Sequence, residues 1–322
     1  MYDFKSIANN SFNKAIIKGL ILKKFYFDKI DNPEILIVNG FWRSGTTFLQ
    51  EIIQKTFHTE FIFEPLNEVV PISKKLFDQK GVRDDKLFRK ISMYDLNFKS
   101  NTDKNWINQI KSHFGYNKWT KSLYKRKHIG TYNNRKIVVK FVNAHFFIKD
   151  LTNMDYKTIH LKRDLIETIS SFKKTKWTSF FEKLNLFESL PENFFKKYPT
   201  EFNALITYVN SEENYLIKVA LYKLITDFWV NEENLNILHI KYEDVMTNFE
   251  SVIKDISAFT GWSIRDEDFE KIKKTPSRMS QKYAISQDGI YNKSKVKLDK
   301  NEIDKIRELN AEFSKTVSQI KR

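Results

Sequence analysis

The chain has 322 residues, of which 41% are hydrophobic and 15% are aromatic, and this composition excludes a disordered chain and allows one large domain with its own core. Lysine and arginine outnumber aspartate and glutamate by 15, so the surface should attract anionic cofactors, polyanions or an anionic membrane face. The absence of cysteine excludes disulfides, thiol catalysis and thiolate metal sites, and it fits a reducing compartment.

Residues 1–30 predict a basic amphipathic helix. In the segment MYDFKSIANNSFNKAIIKGLILKKFYF, apolar residues recur at helical spacing between lysines. The segment lacks the apolar centre of a signal peptide, and nowhere does the sequence reach the roughly 18 apolar residues of a membrane-spanning helix. We expect this helix either to dock on the body of the protein or to contact a membrane surface. The protein is expected in the cytoplasm, with peripheral contact at the inner face of the membrane as the alternative.

Four short apolar runs predict strands that alternate with helices. The runs are Glu34–Asn39, Lys136–Phe141, Lys157–Leu161 and Asn236–Ile240. The first leads through a glycine loop into a helical pattern at Thr46–Phe57, and the third leads into a helix from Asp164 to about Lys174. This alternation predicts an α/β fold, with a mostly parallel central sheet flanked by helices and ligands beyond the carboxyl ends of the strands.

The rest of the chain predicts additions to one domain. Residues 71–130 and 175–232 are rich in lysine, phenylalanine and polar side chains, which indicates helical insertions that form a cap. Leu298–Ile320 has apolar residues at helical spacing and predicts a closing helix. We therefore expect a single domain over residues 1–322, with its core at residues 34–310.

A glycine loop with one cation follows the first strand. It reads Gly40-Phe-Trp-Arg43-Ser44-Gly45-Thr46-Thr47, with the Gly-x4-Gly spacing of a Walker loop. The backbone N–H groups of such a loop and the N-terminus of the next helix bind anions. Thr46 stands where the Walker lysine would reach the β- and γ-phosphates, so a nucleoside triphosphatase is disfavoured.

The loop instead resembles the 5′-phosphosulfate loop of sulfotransferases that use 3′-phosphoadenosine 5′-phosphosulfate (PAPS). In that family a lysine or arginine precedes Ser/Thr-Gly-Ser/Thr-Ser/Thr. The matching residues here are Arg43, Ser44, Gly45, Thr46 and Thr47. The resemblance implies a P-loop nucleotide-kinase-like sulfotransferase fold with helical cap insertions, PAPS as the sulfuryl donor, and these residues as ligands of its phosphate and sulfate.

A second phosphate element follows the third strand. It resembles the family's 3′-phosphate element, in which an arginine at the strand end precedes a serine on the next helix, and Arg163 and Ser171 fill these positions. Asp164 is predicted to be the N-cap of that helix, with Glu167 completing a capping box. The family usually has proline where Leu165 stands. A surface salt bridge is the alternative role of Arg163, but its place after a strand favours phosphate binding.

A third segment, Tyr242-Glu243-Asp244, resembles the strand-to-helix segment that the family carries near its carboxyl end. It follows the last predicted strand and precedes an amphipathic helix. We interpret the segment as structural, with Asp244 as a helix cap.

Sulfuryl transfer needs cations at the transferred group and a base for the acceptor's proton. Arg43 and Lys140 are the expected cations, the alternative for Lys140 being a solvated lysine at a strand tip. Glu64 follows a short apolar strand, and its Glu-Pro-Leu segment resembles that of carbohydrate sulfotransferases. We expect Glu64 to be the base, or else to orient Arg43 or the acceptor. His145 and His113 are the alternative bases, since relatives that act on phenols and steroids use a histidine.

These features predict in-line transfer from PAPS to a hydroxyl, rather than an amine, of a carbohydrate or glycolipid acceptor. A kinase that uses ATP is one alternative, but it needs a lysine after Gly45 and an acidic magnesium ligand. A non-enzymatic basic module that binds nucleic acid or a membrane is the other, and it leaves both phosphate elements unexplained. We expect no nucleic-acid partner. We also expect no metal, because the histidines are scattered and no His/Asp/Glu cluster has ligand spacing.

Overall fold

The computed structural model describes residues 34–63, 136–142, 145–153, 155–174, 185–190, 192–231, 236–264 and 298–321. Its strands are β1 (Glu34–Asn39), β2 (Glu60–Phe63), β3 (Lys136–Phe141), β4 (Lys157–Lys162) and β5 (Ile237–Lys241). Its α-helices are α1 (Thr46–Phe57), α2 (Ile148–Asn153), α3 (Leu165–Lys173), α4 (Leu186–Ser189), α5 (Glu192–Lys197), α6 (Asn203–Ser211), α7 (Tyr215–Val230), α8 (Tyr242–Thr247), α9 (Phe249–Thr260) and α10 (Lys300–Ile320). A 3₁₀ turn lies at His145–Phe147. The predicted helix at residues 1–30 and the cap at residues 71–130 lie outside the described residues.

The strands form one parallel sheet in the order β2-β3-β1-β4-β5. Because parallel neighbours need crossover connections, helices cover both faces of such a sheet. The predicted α/β class is confirmed, and β1, α1 and β3 have the predicted bounds. Within the described ranges, none of the helices is both long and apolar enough to span a membrane.

The two faces of the sheet pack against different helices. Val38 of β1 faces α1 and α9 in one core cluster. Its register partner Lys140 points to the same face, because partners in neighbouring parallel strands share a face. Asn39 and its partner His160 point to the opposite face, where Asp227 of α7 contacts His160. Thus α7, which lies in the region predicted as a cap, helps to cover the second face of the sheet.

A second core cluster lies among α3, α7 and α10. It includes Phe172 of α3, Tyr222 of α7 and Phe313 of α10, together with Phe41 and Trp42 from the glycine loop. The loop that follows β1 is therefore anchored in the hydrophobic core by its two aromatic residues. Since β1 and β4 are neighbours, the loop after β1 and the residues after β4 emerge side by side at the carboxyl edge of the sheet.

Candidate active site

The glycine loop turns tightly and presents the N-terminus of α1. The Ser44 N–H donates to the Phe41 carbonyl at 3.0 Å, and Gly45 occupies the N-cap with φ 93°. Gly45 has no side chain that could cap the first turn of α1, so the N–H groups of that turn are suited to an anion. Arg43 also has a left-handed backbone, with φ 68°, and this strain at a loop with an exposed cation is typical of functional sites.

Neighbouring residues pack so closely against Gly40 and Gly45 that neither position has room for a side chain. A Cβ on Gly45 would lie 2.4 Å from two ring atoms of Tyr242, and one on Gly40 would lie 2.7 Å from the Leu161 carbonyl. Tyr242 follows β5, so three neighbouring strand ends meet at the loop. The segment that begins at Tyr242 is interpreted as structural from its resemblance to the family, but no sequence pattern predicts that this ring packs on Gly45.

The two predicted phosphate elements contact each other directly. Arg43 Nε donates to Ser171 Oγ at 3.2 Å. Arg163 Nη1 donates to the Arg43 carbonyl at 2.9 Å. The structure therefore brings together the loop cation, the arginine at the end of β4 and the serine on α3. A serine hydroxyl that accepts from Arg43 can still donate its own proton to a ligand.

Arg163 is held between an aromatic ring and a carboxylate. Its guanidinium lies 4.7 Å from the centroid of the Tyr242 ring, and its Nη2 lies 3.6 Å from Glu167 Oε2. The same ring thus supports Gly45 on the loop and Arg163 at the second element. These contacts fix the guanidinium in place before any anion binds, which reduces the ordering cost of binding.

Asp164 is the N-cap of α3, as predicted, and its Oδ1 accepts from the Glu167 N–H at 2.9 Å. The predicted capping box with Glu167 is wrong, because the Asp164 N–H donates instead to Glu243 Oε1 at 3.2 Å. Asp244 is not a cap either. Helix α8 begins at Tyr242, so Asp244 lies inside its first turn. The Tyr-Glu-Asp segment therefore braces α3 from a distant part of the chain.

Lys140 is buried rather than solvated. Its residue is only 2% exposed, and its Nζ donates to Thr47 Oγ1 at 2.7 Å. This contact places a cation beside the first turn of α1, where the helix dipole also favours negative charge. The alternative of a solvated lysine at a strand tip does not hold.

The candidate bases differ in where they lie. Glu64 and His113 are outside the described residues, although β2 leads directly to Glu64. His145 is wholly buried. Burial, together with the nearby His160, lowers the pKa of His145 to about 3, so the ring is neutral at physiological pH.

No group of three or more His, Cys, Asp or Glu side chains that could hold a metal ion was found among the described residues. Guanidinium, ammonium, hydroxyl and backbone N–H groups meet at this edge of the sheet, where the Glu167 and Glu243 carboxylates already pair with Arg163 and with the Asp164 N–H. The donor groups together suit a ligand with several anionic oxygens.

The sulfotransferase domain model matches residues 33–316 of the chain. The chain belongs to the sulfotransferase domain family. Sulfuryl transfer is thus its class of reaction. A search of curated protein sequences found no match.

Several solved structures are similar to this sulfotransferase. The sulfotransferase domain from the curacin biosynthetic pathway has 14% sequence identity, with 88% of this chain and 98% of that chain covered and a TM-score of 0.46. The sulfotransferase domain of the Synechococcus PCC 7002 olefin synthase has 13% identity, with 88% and 96% covered and a TM-score of 0.39. Mouse sulfotransferase SULT7A1 complexed with PAP has 13% identity, with 90% and 88% covered and a TM-score of 0.37.

Proposed function

We propose that this sulfotransferase moves the sulfuryl group of PAPS to a hydroxyl of a carbohydrate or glycolipid acceptor. The contact between the two anion-binding elements carries the proposal, because Arg43 and Arg163 meet through the hydrogen bonds at Ser171 and at the Arg43 carbonyl. A nucleotide with phosphates on both its 5′ and 3′ oxygens would engage both elements at once. A nucleotide with a 5′-phosphate alone would leave Arg163 unused.

The residues present fit such a donor. Ser44 is wholly buried, and its Oγ has no hydrogen-bond partner in the described part of the chain. A buried hydroxyl in an anion-binding loop fits a ligand partner, because buried polar groups are nearly always satisfied. Arg43, Ser44, Gly45, Thr46 and Thr47 would hold the 5′-phosphosulfate.

Arg163 and Ser171 would hold the 3′-phosphate. When bound, PAPS supplies a sulfuryl group that an acceptor oxygen can attack in line with the departing phosphate. Arg43 and Lys140 would stabilise the charge that develops around that group, and loss of one such donor costs about 10²–10³ in turnover. No metal is needed for these roles.

The acceptor class rests on the segment around Glu64. Its Glu-Pro-Leu sequence resembles that of carbohydrate sulfotransferases, and in the sequence it directly follows β2, which ends at Phe63. A carboxylate there could take the proton from a sugar hydroxyl. The exposed Arg43 side chain emerges at the carboxyl edge of the sheet, where β2 also ends.

A transfer assay with ³⁵S-labelled PAPS tests this function. The purified protein is incubated with glycolipids and polysaccharides, with amino sugars, and with phenols and steroids, and the products are separated by class. Label on a carbohydrate hydroxyl is expected. Label on a phenol or steroid alone would overturn the acceptor class and keep PAPS as donor. No label on any acceptor, together with transfer from γ-labelled ATP, would favour the kinase.

A further inference from the structure

A buried chain of polar side chains lies beneath the phosphate loop. Asn39, the last residue of β1, donates from Nδ2 to His145 Nδ1 at 3.1 Å and to His160 Nδ1 at 3.2 Å. All three residues are fully buried. His160 Nε2 lies 3.3 Å from Asp227 Oδ1, and Lys223 pairs with the other oxygen of that carboxylate. These polar side chains come from four separate elements of the fold: β1, the 3₁₀ turn, β4 and α7.

The carboxylate of Asp227 sets the direction of the hydrogen bonds that link Asp227, His160, Asn39 and His145. Because an ionised carboxylate only accepts, His160 carries its proton on Nε2, and its Nδ1 must then accept from Asn39. Burial lowers the pKa of His160, which keeps the ring neutral. The second N–H of the Asn39 amide then points to His145 Nδ1, which assigns the His145 proton to Nε2, a nitrogen with no hydrogen-bond partner among the described residues.

His145 also contacts the loop itself. Its ring stacks on Phe41, with centroids 6.0 Å apart and planes at 26°. The ring of Tyr222 of α7 packs against Phe41 and Trp42, with ring centroids 6.1 Å and 6.2 Å apart, respectively. Phe41 is fully buried, whereas Arg43, two residues later, is exposed. The loop thus has a buried base on His145 and Tyr222 and an exposed cationic tip.

We propose that His145 is a positioning residue of the phosphate loop, held in one orientation by Asn39, and not the catalytic base. The Phe41 carbonyl accepts from the Ser44 N–H at 3.0 Å, so movement of Phe41 would displace Ser44 and Arg43 as well. A loop that is ordered before its ligand arrives binds that ligand at a lower entropic cost. The inference rests on the proposed function, since it takes the loop to be the binding site of the donor's 5′-phosphate.

Two substitutions of His145 test the inference by calorimetric titration with adenosine 3′,5′-bisphosphate. His145→Ala removes both the ring and the acceptor and should weaken binding about 10-fold. His145→Phe keeps a ring against Phe41 and should bind within about threefold of wild type. Turnover at saturating PAPS should fall by no more than about 10-fold in both variants, because a displaced Arg43 would lose only part of its effect on the transferred group. A base would behave in the opposite way, because its loss costs about 10²–10⁴ in turnover and leaves donor affinity unchanged.

Ile256→Ala is the control for a general loss of stability. Ile256 is fully buried in α9, in the core cluster on the other face of the sheet. This change should lower the melting temperature and leave bisphosphate affinity unchanged. If His145→Ala binds the bisphosphate as tightly as wild type does, the inference is overturned but the proposed donor is not. A wild-type protein that binds no bisphosphate would overturn the inference and the proposed donor together.

The histidine tautomers give a second readout, which needs no variant to bind ligand. In ¹⁵N-histidine-labelled wild-type protein at neutral pH, the nuclear magnetic resonance shifts of His145 and His160 should be those of neutral rings protonated on Nε2. A His145 ring protonated on Nδ1 could not accept from Asn39 and would overturn the inference.

Discussion

At the scale of single residues, the site depends on how closely Gly45 approaches Tyr242. Gly45 combines a left-handed backbone, φ 93°, with a ring against its Cα. Gly261, at the end of α9, has a similar backbone, φ 78°, but nothing lies within 4 Å of its added Cβ. Substitution of each glycine by alanine therefore separates two costs: both substitutions strain the backbone, but only the one at Gly45 creates a steric clash.

We expect Gly45→Ala to weaken adenosine 3′,5′-bisphosphate binding by about 10-fold or more, because the new methyl group would push the loop away from Tyr242. Gly261→Ala should cost about 1 kcal/mol of stability and leave binding unchanged. Calorimetric titration and urea unfolding of both variants measure these effects. Normal bisphosphate binding by Gly45→Ala would show that the loop does not need this close contact.

We expect Glu64→Gln to reduce turnover by about 10²–10⁴ while bisphosphate affinity stays within about twofold of wild type. The amide keeps the size of the carboxylate but cannot take the acceptor's proton. Initial rates with labelled PAPS and calorimetry make the comparison. Near-normal turnover would reject Glu64 as the base.

The resemblance to sulfotransferases assigned Arg43, Arg163 and Ser171 to one donor, and in the structure these three residues lie side by side. The contacts of Tyr242 and Asn39 could not be predicted in this way. Both depend on side chains that are far apart in sequence and meet only when the strands align. Lys140 shows the same limit, since its burial is set by α1 and not by its place at a strand end.

At the scale of secondary-structure elements, α10 is tied to the helix that carries Ser171. Glu302 accepts from Lys173 of α3 at 2.7 and 2.8 Å. It also completes a capping box with Asp299 at the start of α10. One carboxylate thus caps the N-terminus of α10 and also ties this helix to α3.

We expect Glu302→Ala to lower the free energy of unfolding by about 1–2 kcal/mol, because it removes half of a capping box and a hydrogen-bonded ion pair. Glu312→Ala on the same helix is the matched control. Its partner Lys315 lies 3.8 Å away and both side chains are exposed, so that change should cost about 0.5 kcal/mol or less. Urea denaturation compares them, and equal losses would contradict the role of Glu302.

Strands β1, β3 and β4 were predictable because each is a short apolar run with β-branched residues and is largely buried on both faces. The ends of the strands were harder to predict. Strand β5 begins and ends one residue later than its predicted run, at Ile237–Lys241. Helix α7 was assigned to the cap because residues 175–232 are rich in lysine, phenylalanine and polar side chains. In the structure it carries buried side chains around its whole circumference, including Lys218 and Lys223. A helix of that kind has no single apolar face from which its position against the sheet could be inferred.

At the scale of the whole molecule, buried neutral histidines link stability to pH. The pKa of His145 is lowered to about 3 and that of His160 is also lowered, chiefly by burial. An unfolded histidine titrates near pH 6.5. Between that value and the folded pKa, the unfolded state binds more protons than the folded state, so stability falls as the pH falls.

We expect the free energy of unfolding to decrease by about 2 kcal/mol or more from pH 6.5 to pH 4.5, since the folded pKa of His145 lies below this range and such a histidine contributes up to about 1.4 kcal/mol per pH unit. Urea denaturation at a series of pH values measures the slope. His145→Asn removes one of these groups and should show a shallower slope. A free energy of unfolding that stays constant over this range would contradict the neutral buried pair.

Calorimetric titration of the wild-type protein with adenosine 3′,5′-bisphosphate, ATP and 5′-AMP tests most directly whether the site binds PAPS. We expect selective binding of the bisphosphate, weakened about 10- to 100-fold in Arg163→Ala because a charge-assisted contact with the 3′-phosphate is lost. Arg307→Ala, which removes an equal charge from an exposed position on α10, should bind as wild type does. No binding of the bisphosphate, or equal binding of ATP, would rule out PAPS as the donor.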